Sequence, residues 1–144
     1  AFEPSAETVI MLRSAVENIG NVVVHDSALL DHEGPVDVIN PAKRKTHRSR
    51  YVRPDAAGSA RAVTLDSMHL PNCGLLKLDL EGAEYAALIG SSETIRRCHP
   101  VLIVEVDHPR NGFEHSEADT LGLIAGFGYR PAFARRPDTV FVPQ

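Results

Sequence analysis

Residues 75–84 read Leu75-Leu76-Lys77-Leu78-Asp79-Leu80-Glu81-Gly82-Ala83-Glu84, an apolar run that ends in acids and breaks at a glycine. Leu75, Leu76, Leu78 and Leu80 give the pattern of a strand covered on both faces. Gly82 permits a sharp turn, and Ala83-Glu84-Tyr85-Ala86-Ala87-Leu88-Ile89 then supplies helix-forming residues. Asp79, Glu81 and Glu84 are therefore delivered to the carboxyl end of a sheet strand. In open α/β sheets that end is where ligands bind.

Each acid also has a structural role open to it. Glu81 can cap the helix, where an acid near the N-terminus is worth roughly 0.3–1 kcal/mol. Glu84, one turn further on, is expected to point into water. Asp79 interrupts an apolar strand, and Lys77 on the same face is its evident cation. A local ion pair therefore competes with a ligand-binding role.

Outward from this corner, helical and strand patterns alternate. Ser5 can cap a helix with Val9, Leu12, Val16 and Ile19 on one face and Gly20 as its stop. Residues 21–25 read as a short β-branched strand. Gly34-Pro35 turns into Val36-Asp37-Val38-Ile39, a peripheral strand with one wet face. Pro41, Pro54 and Gly58 make residues 41–58 the loosest region. Residues 61–65 return to strand, 66–73 connect, and 94–99 add a turn of helix before Pro100. Residues 101–106 form a second buried strand. Ser116 and Asp119 have capping-box spacing before a helix that turns Ala118, Leu121, Ile124 and Ala125 inward. Residues 129–134 and 139–142 then pair across Arg135-Arg136-Pro137-Asp138. The order predicts one α/β domain over residues 1–144, mostly parallel with an antiparallel C-terminal hairpin.

The composition is that of an ordinary globular chain: 144 residues, 43% hydrophobic and 24% charged, with a formal charge of −4. That charge gives no reason to expect nucleic acid, and no apolar run approaches a membrane span. Cys73 and Cys98 lack C-x-x-C spacing, which suits a reducing compartment, so a cytoplasmic location is expected.

The segment Lys77-Leu78-Asp79-Leu80-Glu81-Gly82-Ala83-Glu84 resembles the signature of FkbM-type methyltransferases: Lys, aliphatic, Asp, aliphatic, Glu, Gly, any residue, Glu. Further blocks resemble the same family in the same order. Ala1-Phe2-Glu3-Pro4 is similar to the end of its second strand, and Val22-Val23-Val24-His25-Asp26-Ser27-Ala28-Leu29 to its third strand and turn. Ala62-Val63-Thr64-Leu65-Asp66 resembles the step before the signature strand. Pro100-Val101-Leu102-Ile103-Val104-Glu105-Val106 resembles the fifth strand, and Gly126-Phe127-Gly128-Tyr129 the turn after the next helix.

The resemblance implies a Rossmann-like class I methyltransferase sheet that uses S-adenosylmethionine. The acceptor is expected to be a hydroxyl of a sugar or small natural product. It further implies that Glu3 takes the ribose hydroxyls of the cofactor and that Asp26 and Ser27 face the adenine. Family members open with a glycine-rich turn of the form D-x-G-x-x-x-G, which this sequence does not contain. The chain is therefore expected to correspond to the C-terminal two-thirds of such a domain, without the first strand and most of the second, and to be inactive by itself. With strands about 4.8 Å apart, the gap left would be roughly 14 Å. Three outcomes are expected for it: collapse of the third strand onto the fourth, filling by another segment or a second copy, or poor stability.

Methyl transfer to a hydroxyl needs in-line placement and a base. The candidates lie at two strand ends: Asp79 and Glu81 at one, Glu105, Asp107 and His108 at the other. We expect Asp79 near the methyl group and Glu81 or His108 as the base, although His108 reads equally as a surface-loop histidine. Asp79 with Asp107 and His108 could hold a hard cation, but no adjacent ligand motif supports it and no metal is expected. The run Lys43-Arg44-Lys45-Thr46-His47-Arg48-Ser49-Arg50 reads chiefly as a solvated loop, and otherwise as a grip on a phosphate or acidic sugar. The competing function is a non-catalytic, degenerate Rossmann-like interaction module.

Overall fold

In a computed structural model, which describes residues 1–40, 50–106 and 113–144, the acidic corner lies at the seam of two four-stranded sheets. The first sheet holds β1 (Ala28–Leu29), β2 (Gly34–Ile39), β3 (Tyr51–Pro54) and β4 (Ala60–Val63), in the order β1-β4-β2-β3. The second holds β5 (Leu75–Leu78), β6 (Val101–Glu105), β7 (Tyr129–Arg135) and β8 (Asp138–Pro143), in the order β5-β6-β8-β7. Four helices accompany them among the described residues: α1 (Ala6–Ala15), α2 (Glu84–Ile89), α3 (Ser92–Cys98) and α4 (Glu117–Gly126).

The α/β class holds, but the sheets are mixed. Only β1·β4 and β5·β6 run parallel, while β2·β3, β2·β4, β6·β8 and β7·β8 are antiparallel. In the first sheet the antiparallel pairs come from β2, which pairs with β4 on one side and β3 on the other. The antiparallel finish is present, with β8 inserted between β6 and β7.

Several local expectations are corrected. Residues 21–25 form no strand; His25 makes an isolated parallel bridge to Phe2, and the two rings stack 4.8 Å apart. Val22 and Val23 are exposed, so β-branching found no neighbour to pack against. For the same reason the third-strand segment does not collapse onto β5. That strand is not covered on both faces: Leu76 and Leu78 are buried, whereas Leu75 is 57% exposed. Helix α1 stops at Ala15, short of Gly20, and buries only Val9. In α4 the capping box forms as expected, but Thr120 and Ile124 are the residues buried. Leu121 is exposed, and Leu123 and Phe127 pack in its stead.

Two apolar clusters meet at α2. Ala87 and Leu88 join Leu76, Leu78, Leu102 and Val104 of the second sheet. Ala83 and Ala86 join Ala28, Leu30, Val36 and Ala62 of the first. Gly90, just past α2, is obligatory by close approach: a Cβ there would lie 1.9 Å from the Leu30 carbonyl oxygen. No helix among the described residues is long and apolar enough to cross a membrane.

Candidate active site

The corner after β5 is built by its own backbone and one buried acid. Glu81 has φ 56° and Gly82 φ 106°, so two successive residues take left-handed conformations. For glycine this is free, but for glutamate it costs roughly 1–2 kcal/mol. The strain is held in place by Glu84, which is 4% exposed and accepts from the Leu80 amide on Oε1 at 2.7 Å and the Gly82 amide on Oε2 at 3.0 Å. The expectation that Glu84 points into water is thus overturned. A carboxylate that satisfies otherwise orphaned backbone donors is worth more inside than outside.

Asp79 and Glu81 line a cavity of about 320 Å³, within the range of small-molecule sites. Its wall also carries Glu3 and Thr8, and Ala28 and Leu29 contribute from β1. Glu3 accepts the Ser5 amide on Oε1 at 2.7 Å, and among the described residues no donor reaches Oε2. The Phe2–His25 bridge fixes this wall, with the Glu3 amide donating to the His25 carbonyl at 3.0 Å. Three carboxylates from positions 3, 79 and 81 therefore share one cavity.

Asp79 also makes the local ion pair that the sequence left open. Lys77 Nζ lies 2.7 Å from its Oδ2 and 3.8 Å from Oδ1 of Asp138. The bond to Asp79 holds the Lys77 ammonium above its ordinary pKa, against the opposing effect of burial. The pair is about half exposed, so it serves position more than stability.

The remaining candidates are placed elsewhere. Asp26, with an exposed side chain, sits 3.7 Å from Arg13, and Ser27 is buried; both precede the lining residue Ala28 in sequence and do not line the cavity themselves. His108 and Asp107 lie outside the described residues, as do residues 43–49 of the basic run. Glu105 is buried at the end of β6 and faces a separate small cavity with Glu84 and His115. No group of three metal-ligating side chains occurs among the described residues.

One lining residue was not singled out from the sequence. Arg50 reaches back to α1, donating to Ser5 Oγ at 2.7 Å, Thr8 Oγ1 at 2.8 Å and Glu7 Oε2 at 2.7 Å. These contacts span 42–45 residues, so no local pattern could have separated Arg50 from the basic run.

An α/β chain with an acid-lined cavity at a strand end offers a candidate small-molecule site. The family is specific: the model of the methyltransferase FkbM domain matches residues 1–131, and the chain belongs to that family. The fold is similar to the crystal structure of methyltransferase FkbM from Methylobacillus flagellatus KT, with a TM-score of 0.56 at 17% identity. That likeness covers 97% of this chain and 34% of the other, so the chain spans about a third of that structure's length. No curated protein matches it.

Proposed function

We propose that the chain carries the acid-lined half of an S-adenosylmethionine-dependent methyltransferase site, acting on a hydroxyl of a sugar or small natural product. The observation that supports this reading is the meeting of Glu3, Asp79 and Glu81 in one cavity of about 320 Å³. Glu3, with Oε1 occupied by Ser5, keeps a second oxygen able to accept from a vicinal diol, as a ribose presents. Asp26 and Ser27, next in sequence to the lining residue Ala28, are the expected neighbours of the adenine.

S-adenosylmethionine supplies a methyl group made electrophilic by its sulfonium. Asp79, held by Lys77, contributes negative charge beside that cation and helps orient it. Glu81 would be the base, taking up the hydroxyl proton of an acceptor placed in line with the methyl group. The strained backbone at Glu81 favours this assignment, since strain persists where the surroundings over-determine a conformation. His108 is the alternative base. Among the described residues β5 is an edge strand, where a further strand would pair, from an additional segment or a second copy, and the chain by itself is expected to bind weakly and turn over little.

The test is calorimetric or NMR titration of methylthioadenosine and S-adenosylhomocysteine into wild type and Glu3→Gln. Loss of a charge-assisted bond should weaken both nucleosides about tenfold or more. Equal affinity in the two proteins, or no binding to wild type, would overturn the reading.

A further inference from the structure

We infer that Arg50 reads an anionic group, a carboxylate or phosphate, on the small molecule held in this cavity. The inference rests on the cavity being the methyl-transfer site and adds a charge requirement on what enters it. The cavity carries both signs of charge: Glu3, Asp79 and Glu81 line it together with Arg50, the sole cation of its lining among the described residues. A ligand that matches this lining carries positive or hydroxyl groups for the acids and an anionic group for the guanidinium.

The way Arg50 is held makes it suited to that role. Nη1 donates to two neutral hydroxyls, Ser5 Oγ and Thr8 Oγ1, which fix the plane of the guanidinium without neutralising its charge. Its carboxylate partner Glu7 is 81% exposed on the solvent side. An exposed pair of this kind contributes little and yields readily to a better-placed anion. These bonds occupy three of the five guanidinium N–H groups, which leaves donors for a forked contact. The anion has two sources of the same chemistry: the amino-acid carboxylate of the cofactor itself, or an acidic group on the acceptor.

Titrations into the full chain separate these sources. S-adenosylhomocysteine, methylthioadenosine (the same nucleoside without the carboxylate) and D-glucuronate are added to wild type, Arg50→Gln and Glu7→Gln, with dissociation constants read from amide shifts. Arg50→Gln should weaken an acidic ligand about tenfold or more and leave methylthioadenosine unchanged. Glu7→Gln removes the competing carboxylate and should strengthen the acidic ligand a few-fold, roughly the worth of one exposed pair. A change confined to S-adenosylhomocysteine assigns the cofactor carboxylate; one confined to glucuronate assigns the acceptor. Unaltered acid affinity in Arg50→Gln overturns the inference, as does no acid binding to wild type. An equal loss for methylthioadenosine, or weakening in Glu7→Gln, also overturns it and reduces Arg50 to a clamp on α1. Failure of wild type to bind methylthioadenosine while it still binds glucuronate through Arg50 would instead refute the cofactor reading alone.

Discussion

Glu84 should prove the most consequential polar side chain of the corner, although nothing in its helical position marks it. Its two oxygens take the Leu80 and Gly82 amides at 2.7 and 3.0 Å, and its side chain is almost wholly removed from water. Replacement by alanine leaves two backbone donors without those acceptors. At about 1–3 kcal/mol for each orphaned donor, the full cost is roughly 2–6 kcal/mol. Gly82 is only partly buried, so water can recover some of this, and about 2–4 kcal/mol is expected. Glu84→Gln keeps one acceptor for Leu80 and turns a donor toward Gly82, which should cost about half as much. Urea unfolding measures the series: with a slope near 2 kcal/mol/M, a 3 kcal/mol loss moves the midpoint by about 1.5 M. The order should be wild type above Gln above Ala, with the slope unchanged. An alanine variant within about 0.5 kcal/mol of wild type would refute the assignment of Glu84 as the anchor of the corner.

Glu81→Gly should leave stability unchanged or raise it by up to about 1 kcal/mol, because glycine accepts φ 56° freely, while under the proposed function it should abolish methyl transfer. A clear loss of stability would show that Glu81 is structural. Gly90→Ala forces a Cβ to within 1.9 Å of the Leu30 carbonyl oxygen, so backbone must move; a loss of about 1–3 kcal/mol or more in thermal unfolding is expected, and a neutral result would contradict the close approach. Burial, and then the neighbouring Cys98 thiol, push the Cys73 thiol above its ordinary 9.0, so iodoacetamide should label it more slowly than free cysteine at pH 7.5 and faster as pH climbs past 9. Because the folded state binds that proton more tightly than the unfolded chain does, stability should fall as pH rises beyond 9, and a flat profile there would count against the shift.

Features fixed by short-range chemistry were legible in the sequence. The Ser116–Asp119 capping box and the β7–β8 hairpin depend on residues close along the chain, and they form as read. The acid corner was legible for the same reason, down to the Lys77–Asp79 pair. What failed was whatever depends on a partner far away. Residues 21–25 have strand-forming side chains but bridge only at His25, because pairing is decided by the neighbour and not by propensity. Ile124 of α4 is buried as read, but the rest of its inward face shifts from Leu121 to Thr120, since a helix with alanine and glycine on several sides has no strong apolar stripe to fix its orientation. Glu84 was assigned to water because burial of an acid is rare unless donors meet it, and those donors are the corner's own amides.

The placement of the site follows from how α2 is covered. A helix of six residues cannot stand on its own propensity and is held by what it packs against. Here Ala83 and Ala86 face one sheet and Ala87 and Leu88 the other, so the helix is wedged between them. Small side chains on that wedge let both sheets come close, and the contact of Gly90 with Leu30 extends the close approach past the helix end. The corner at the start of the wedge then sits where the sheets part, at the cavity that Glu3 also lines. Leu80 belongs to both clusters, so it ties the strained residue beside it to the two cores at once. The position of the Glu81 carboxylate is therefore set from behind, by packing that never touches a ligand. Any larger residue at position 86 or 87 would push the sheets apart and carry the acids with them.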